Sequence, residues 1–167
     1  MPSLIYIIIK NKGTYIGMCL FLFINKEELI MLQLYSDGIA VAAGAAIPLN
    51  NVTYAKGASA THLAPATISL NQRGVYLVKA DAYGEVAAAG DFGIQFAVNG
   101  VPRLDAINET TGAVGSLSSV ATQCIVVVQQ SDCPCNCTSS ATTVQLINPS
   151  EVGTTDSHYN VIVSKLC

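Results

Sequence analysis

The sequence predicts an all-β, antiparallel sandwich or barrel, and three observations carry that expectation. Downstream of Met31 the apolar residues come in runs of four to eight bounded by Gly, Asn, Pro or Ser, which is a strand pattern. No long stretch has apolar residues recurring at a helical spacing, so the helices that a parallel sheet needs between its strands are missing. The 167 residues are 51% hydrophobic and only 11% charged. A chain of that length and composition buries a core of its own and is neither disordered nor a polybasic nucleic-acid binder.

The chain divides near residue 31. Residues 1–30 contain no Ala, whereas residues 31–167 are rich in Ala, Gly, Thr and Ser. We expect one domain over 31–167 and a leader over 1–30, for which three readings stay open. It is a translated stretch upstream of the true start, a signal or anchor, or a short structural helix. Its apolar runs, Leu4 to Ile9 and Tyr15 to Ile24, are interrupted by Lys10, Asn11, Lys12 and Gly13. Neither reaches the roughly 20 residues of a spanning helix. A signal core fits better, although no small-x-small cleavage site precedes Lys26.

In chain order, Ala40 to Ala46 is ambiguous between a helical turn and irregular strand, with Gly44 and Pro48 favouring the latter. Ile68 to Leu70 runs into the turn Asn71-Gln72-Arg73-Gly74 and then the β-branched and aromatic run Val75 to Ala80, a hairpin or tight corner. Val86 to Gly90 is Ala-rich but ends in Gly, a loop signal. Ile94, Phe96 and Val98 alternate with Gln95 and Ala97. Asn99-Gly100 then supplies the two positive-φ residues of a type I′ turn. Pro102 has no amide donor, which confines the returning strand to a sheet edge or to a start beyond it. Gln123 to Gln130, Thr143 to Asn148 and Tyr159 to Leu166 complete the strand candidates.

These signals, in this order, make residues 32–167 resemble the tumour-necrosis-factor-like jelly roll, shared with complement globular heads and with collagen-like proteins of bacterial spore surfaces. The carriers are Thr67-Ile-Ser-Leu70 leading into Gly74-Val-Tyr-Leu-Val78, then Phe96-Ala-Val-Asn-Gly100, then Val161-Ile-Val-Ser-Lys-Leu166. Leu34-Tyr-Ser and Ala42-Ala-Gly-Ala-Ala-Ile-Pro-Leu49 also look like short domains encoded by spore-forming Firmicutes and their phages. The resemblance implies a jelly-roll sandwich of about 8–10 strands assembled as a homotrimer on a spore or virion surface, or outside the cell. No Gly-X-Y repeat is present to trimerise it through a collagen stalk.

Charge supports assembly. From Met31 onward there are 5 basic and 9 acidic residues. So few charges leave small and apolar side chains to cover the outer sheet faces, as at a subunit interface. Tyr76, Tyr83, Phe92, Phe96 and Tyr159 are the aromatic candidates for core or trimer interface.

Cys133-Pro134-Cys135-Asn136-Cys137 reads as a loop tip between strands. Alternate cysteines rarely bridge one another, so with Cys124 and Cys167 they are candidates for cross-links between chains, for a soft-metal site, or for ordinary pairs and free thiols. His62 and His158 read as surface residues in turn-like settings. Asp81, Glu85 and Asp91 admit calcium, as in some complement-like heads, or a solvated loop, and no Asp-x-Asp-x-Asp-Gly pattern accompanies them. Asn51, Asn108 and Asn136 head glycosylation acceptor triplets, relevant only to a eukaryotic secretory setting. No nucleophile elbow, His-Glu-x-x-His or phosphate loop occurs, so we expect no enzyme. The expected function is a structural or adhesive surface module whose partners are copies of itself, with other surface or particle proteins as further candidates. The alternatives are a trimer that captures a receptor or glycan and, last, a thiol enzyme using a cysteine with His158. No cofactor and no membrane contact is expected beyond an anchor in residues 1–30.

Overall fold

The computed structural model describes residues 7–11, 14–18, 31–129 and 141–166, the backbone alone for 7–11, 14–18 and Met31. Strands β1 (Ile7–Asn11) and β2 (Thr14–Met18) pair antiparallel as a two-stranded sheet, so this part of the leader is extended and not the short helix that one reading expected. Ten strands follow: β3 (Met31–Val41), β4 (Asn51–Ala55), β5 (Ala60–Ala64), β6 (Thr67–Leu70), β7 (Gly74–Val86), β8 (Gly90–Val98), β9 (Val101–Gly112), β10 (Ser118–Val128), β11 (Thr142–Ile147) and β12 (Thr154–Lys165).

They form two five-stranded sheets, ordered β10-β7-β12-β3-β4 and β5-β6-β11-β8-β9, with every pairing antiparallel. From β6 onward the chain crosses repeatedly between them, which is jelly-roll topology. Asn71 to Gly74 is therefore a corner and not a hairpin, because β6 and β7 belong to opposite sheets.

Strand alternation builds the core. In β7, Tyr76, Val78, Ala80 and Ala82 point inward while Lys79, Asp81 and Tyr83 point out. Tyr159, Val161 and Val163 of β12 and Leu32 and Leu34 of β3 extend that layer. Phe92, Ile94 and Phe96 of β8, with Ile68, Leu70, Val144 and Leu146, face it from the other sheet. Four of the five aromatic candidates, Tyr76, Phe92, Phe96 and Tyr159, are thus core residues. The two tyrosine hydroxyls are satisfied inside: Tyr76 donates to the Gln72 carbonyl at 2.8 Å, and Tyr159 shares a 3.0 Å bond with Thr154.

The β8–β9 turn matches its prediction, with φ of 51° at Asn99 and 77° at Gly100 and Val98 opposite Val101. Pro102 is accommodated because β9 is the edge of its sheet.

Candidate functional site

The outer face of the β10-β7-β12-β3-β4 sheet combines an apolar end with a polar, aromatic one. At the apolar end Ile125 stands opposite Leu77 and Val127 opposite Val75 on neighbouring strands. Ile125 and Val127 are 54% and 58% exposed. Single exposed apolar residues are unremarkable, but adjacent pairs on one flat face form a contiguous patch.

The other end begins where β12 passes between β7 and β3. Asn160 lies in register with Asp81 on one side and Tyr35 on the other. Its amide nitrogen donates to Asp81 Oδ1 at 2.9 Å, and its carbonyl oxygen accepts from Gln33 Nε2 at 3.0 Å. One step along, His158 stacks on Tyr83 with ring centroids 4.3 Å apart and planes 10° from parallel, and its Nδ1 contacts Asp37. Tyr35, Asp37, Asp81, Tyr83, His158 and Asn160 together line a shallow depression. Tyr83, 44% exposed, is the one aromatic candidate on this face.

His158 is therefore a strand residue in an aromatic stack, and His62 lies in β5, so neither occupies the turn expected for it. The misreading of His158 has a local cause. The register between β12 and its neighbours shifts between residues 154 and 159, and Asp156 has a positive φ of 40°. Asp37, Gln33 and Asn160 were not singled out from the sequence. The alternation of Tyr159, Val161 and Val163 does put His158 and Asn160 on the opposite face, so β12's half of the cluster carried a readable signal.

Cys124 points into the core as a free thiol, and burial pushes its pKa up to about 11. Cys133, Cys135, Cys137 and Cys167 lie outside the described residues. Asp81, Glu85 and Asp91 are not brought together: the first two sit four residues apart on β7 and Asp91 is on β8, in the other sheet. Among the described residues no three His, Cys, Asp or Glu side chains are gathered closely enough to hold a metal as they stand. No helix among those residues is long and apolar enough to cross a membrane.

Solved structures similar to this chain include the globular domain of zebrafish complement 1qA protein, with a TM-score of 0.61 at 7% identity over 83% of this chain and 98% of that one. Murine APRIL at pH 5.0 follows at 0.60 and 8%, covering 82% and 99%. The fold is a tumour-necrosis-factor-like jelly roll. The PRD1 vertex protein P5 shares the jelly roll at a TM-score of 0.55 and 12% identity, over 83% of this chain and 98% of that one. No protein-family model matches the sequence, and no curated protein matches it.

Proposed function

We propose that this chain is a non-enzymatic structural or adhesive module that works as a homotrimer on the surface of a spore or virion, its subunits packing through the outer face of the β10-β7-β12-β3-β4 sheet. The observation that carries this reading is the apolar patch on that face, exposed at Ile125 and Val127 and half-buried at their cross-strand partners Leu77 and Val75. An interface core is depleted in charge and enriched in aromatic and aliphatic side chains, and the apolar end of this face has that composition. The likeness to a vertex protein supports display on a particle.

The test is the absolute mass of the full chain in solution, with and without reductant, beside the double variant Ile125→Asp/Val127→Asp. A mass three times the monomer that survives reduction and falls to the monomer in the variant is expected. A monomeric parent overturns the trimer. A reduction-sensitive oligomer moves assembly to the cysteines.

A second reading rests on the Tyr83–His158 stack beside Asp37, Asp81 and Asn160. Exposed rings flanked by carboxylates and an amide suit a glycan, whose apolar ring face stacks while its hydroxyls are bonded. The two readings compete for one face, so glycan binding that persists in the trimer would detach this cluster from the interface.

A further inference from the structure

The depression at the polar end of the β10-β7-β12-β3-β4 face has a neighbour. Across Tyr83 lies a second shallow hollow, lined by Asp81, Tyr83, Asn108, Ser119 and Ala121 among others. Register explains it. Tyr83 stands opposite His158 on β12 and Ser119 on β10, and Asp81 stands opposite Asn160 and Ala121. The partners on β12 are large, whereas the small side chains on β10 leave that flank of β7 open. Asp81 and Tyr83 line both hollows and form the ridge between them. Tyr83 turns one ring face to His158 in the 4.3 Å stack, which leaves the other toward Ser119. The far rim is fixed, because the Asn108 amide nitrogen donates to the Ala121 carbonyl at 2.8 Å.

The charge here is mostly of one sign. Neither hollow is lined by Lys or Arg. Asp81 lines both and Asp37 lines one. Glu85 is the next outward residue of β7 after Tyr83. A Cβ on Gly38 would sit 3.5 Å from Asp156 Oδ1, so a fourth carboxylate lies over the residue that follows Asp37. His158, the one lining residue able to carry a positive charge, is turned to Asp37, while Asp81 is held through Oδ1 by the neutral Asn160 amide. Lys79 is the outward residue of β7 before Asp81, toward the apolar end, where it stands opposite Ile162 and Gln123.

We infer that the ligand of this surface is an amino sugar with a free amine, a glucosamine-type glycan whose ring lies against Tyr83 and whose ammonium meets Asp81. The inference rests on the glycan reading of the same cluster and adds the charge of the ligand to it. An ammonium over an aromatic face and beside a carboxylate is held twice, by the negative face of the ring and by a charge-assisted hydrogen bond. Asn160 orients the Asp81 carboxylate through Oδ1, so Oδ2 is the oxygen presented to a ligand. Tyr35, 40% exposed on the far side of β12, offers a second ring to a neighbouring sugar unit. Uronates, sialic acids and phosphate-bearing glycans would set a like charge against Asp37 and Asp81, which selects against them.

Isothermal titration of the full chain at about pH 6, where an amine holds its proton and an ordinary carboxylate does not, compares a glucosamine tetramer with its fully N-acetylated counterpart. Acetylation keeps the sugar ring and removes the cation. The amine form should bind about tenfold more tightly, the effect of one such contact. Asp81→Asn preserves size and the Oδ1 acceptor, so it reads charge alone and should bring the two affinities together. Tyr83→Ala should weaken both several-fold. Equal or weaker binding of the amine form overturns the inference and leaves the glycan reading standing, whereas binding of neither oligomer removes both. A preference for the amine form that survives in Asp81→Asn overturns the assignment of the ammonium to that carboxylate. Spermidine, a polyamine without a sugar ring, should bind far more weakly than the amine oligomer, and a match would reduce the site to general charge attraction.

Discussion

At Asn99 one side chain does two things. It holds a positive φ of 51°, and its Oδ1 accepts from the Thr143 N–H at 2.9 Å, tying the β8–β9 turn to β11. Asn99→Ala should cost about 1–3 kcal/mol, from left-handed strain plus one lost hydrogen bond. Asn99→Gly should recover the strain and not the bond, so a chemical-denaturation series ranking parent, Gly, Ala checks the argument. Cys124 sets a second expectation at this scale. Burial pushes its thiol up to about 11 from an ordinary 9.0, and likewise raises Tyr76 and Tyr159. These acids hold their protons more tightly when folded, so the unfolded chain ionises first as pH climbs. Stability is unaffected below pH 9.0, the thiol's ordinary value, and should fall steadily above it. Denaturant midpoints measured across that range test the sign. A thiol reagent at neutral pH should label Cys124 only on unfolding.

Among the elements, β12 is the one on which the sheet depends, because it pairs with both β7 and β3 and bulges against each of them. The bulge brings Ser157 under Gly84, where a Cβ would lie 2.1 Å from the Ser157 Oγ and 2.7 Å from its Cα. The backbone itself is in the way, so no rotamer change relieves the clash. Gly84→Ala should cost about 1–3 kcal/mol or more, whereas Gly115→Ala, with open space around it, meets only the strain of its positive φ of 72°. Comparing melting temperatures of the two variants separates crowding from backbone strain. The sequence identified β6, β7, β8 and β10 through β12 from apolar and β-branched runs, from alternation and from Asn99-Gly100. It did not reveal the bulge in β12, because a bulge is a relation between strands and leaves only Asp156 and a broken alternation in the chain itself.

For the whole molecule, the proposed trimerisation would couple folding to concentration. If the apolar patch around Ile125 and Val127 is buried between chains, the melting temperature should rise with protein concentration, and the Ile125→Asp/Val127→Asp variant should lose that dependence. A concentration-independent parent would place the patch in solvent. The sequence by itself determined the class: alternation, turn chemistry and the absence of helical periodicity specify an antiparallel sandwich because those signals are local. Those local signals left Tyr76 and Tyr159 open between core and interface, and the fold buries both. They could not say which face of which sheet would meet which neighbour. Only the tertiary structure set His158 on Tyr83 beside Asp37, and lined one cleft with Asp91, Glu109 and Glu151. Those groupings depend on register and crossover between residues far apart in the chain, and no one segment encodes them.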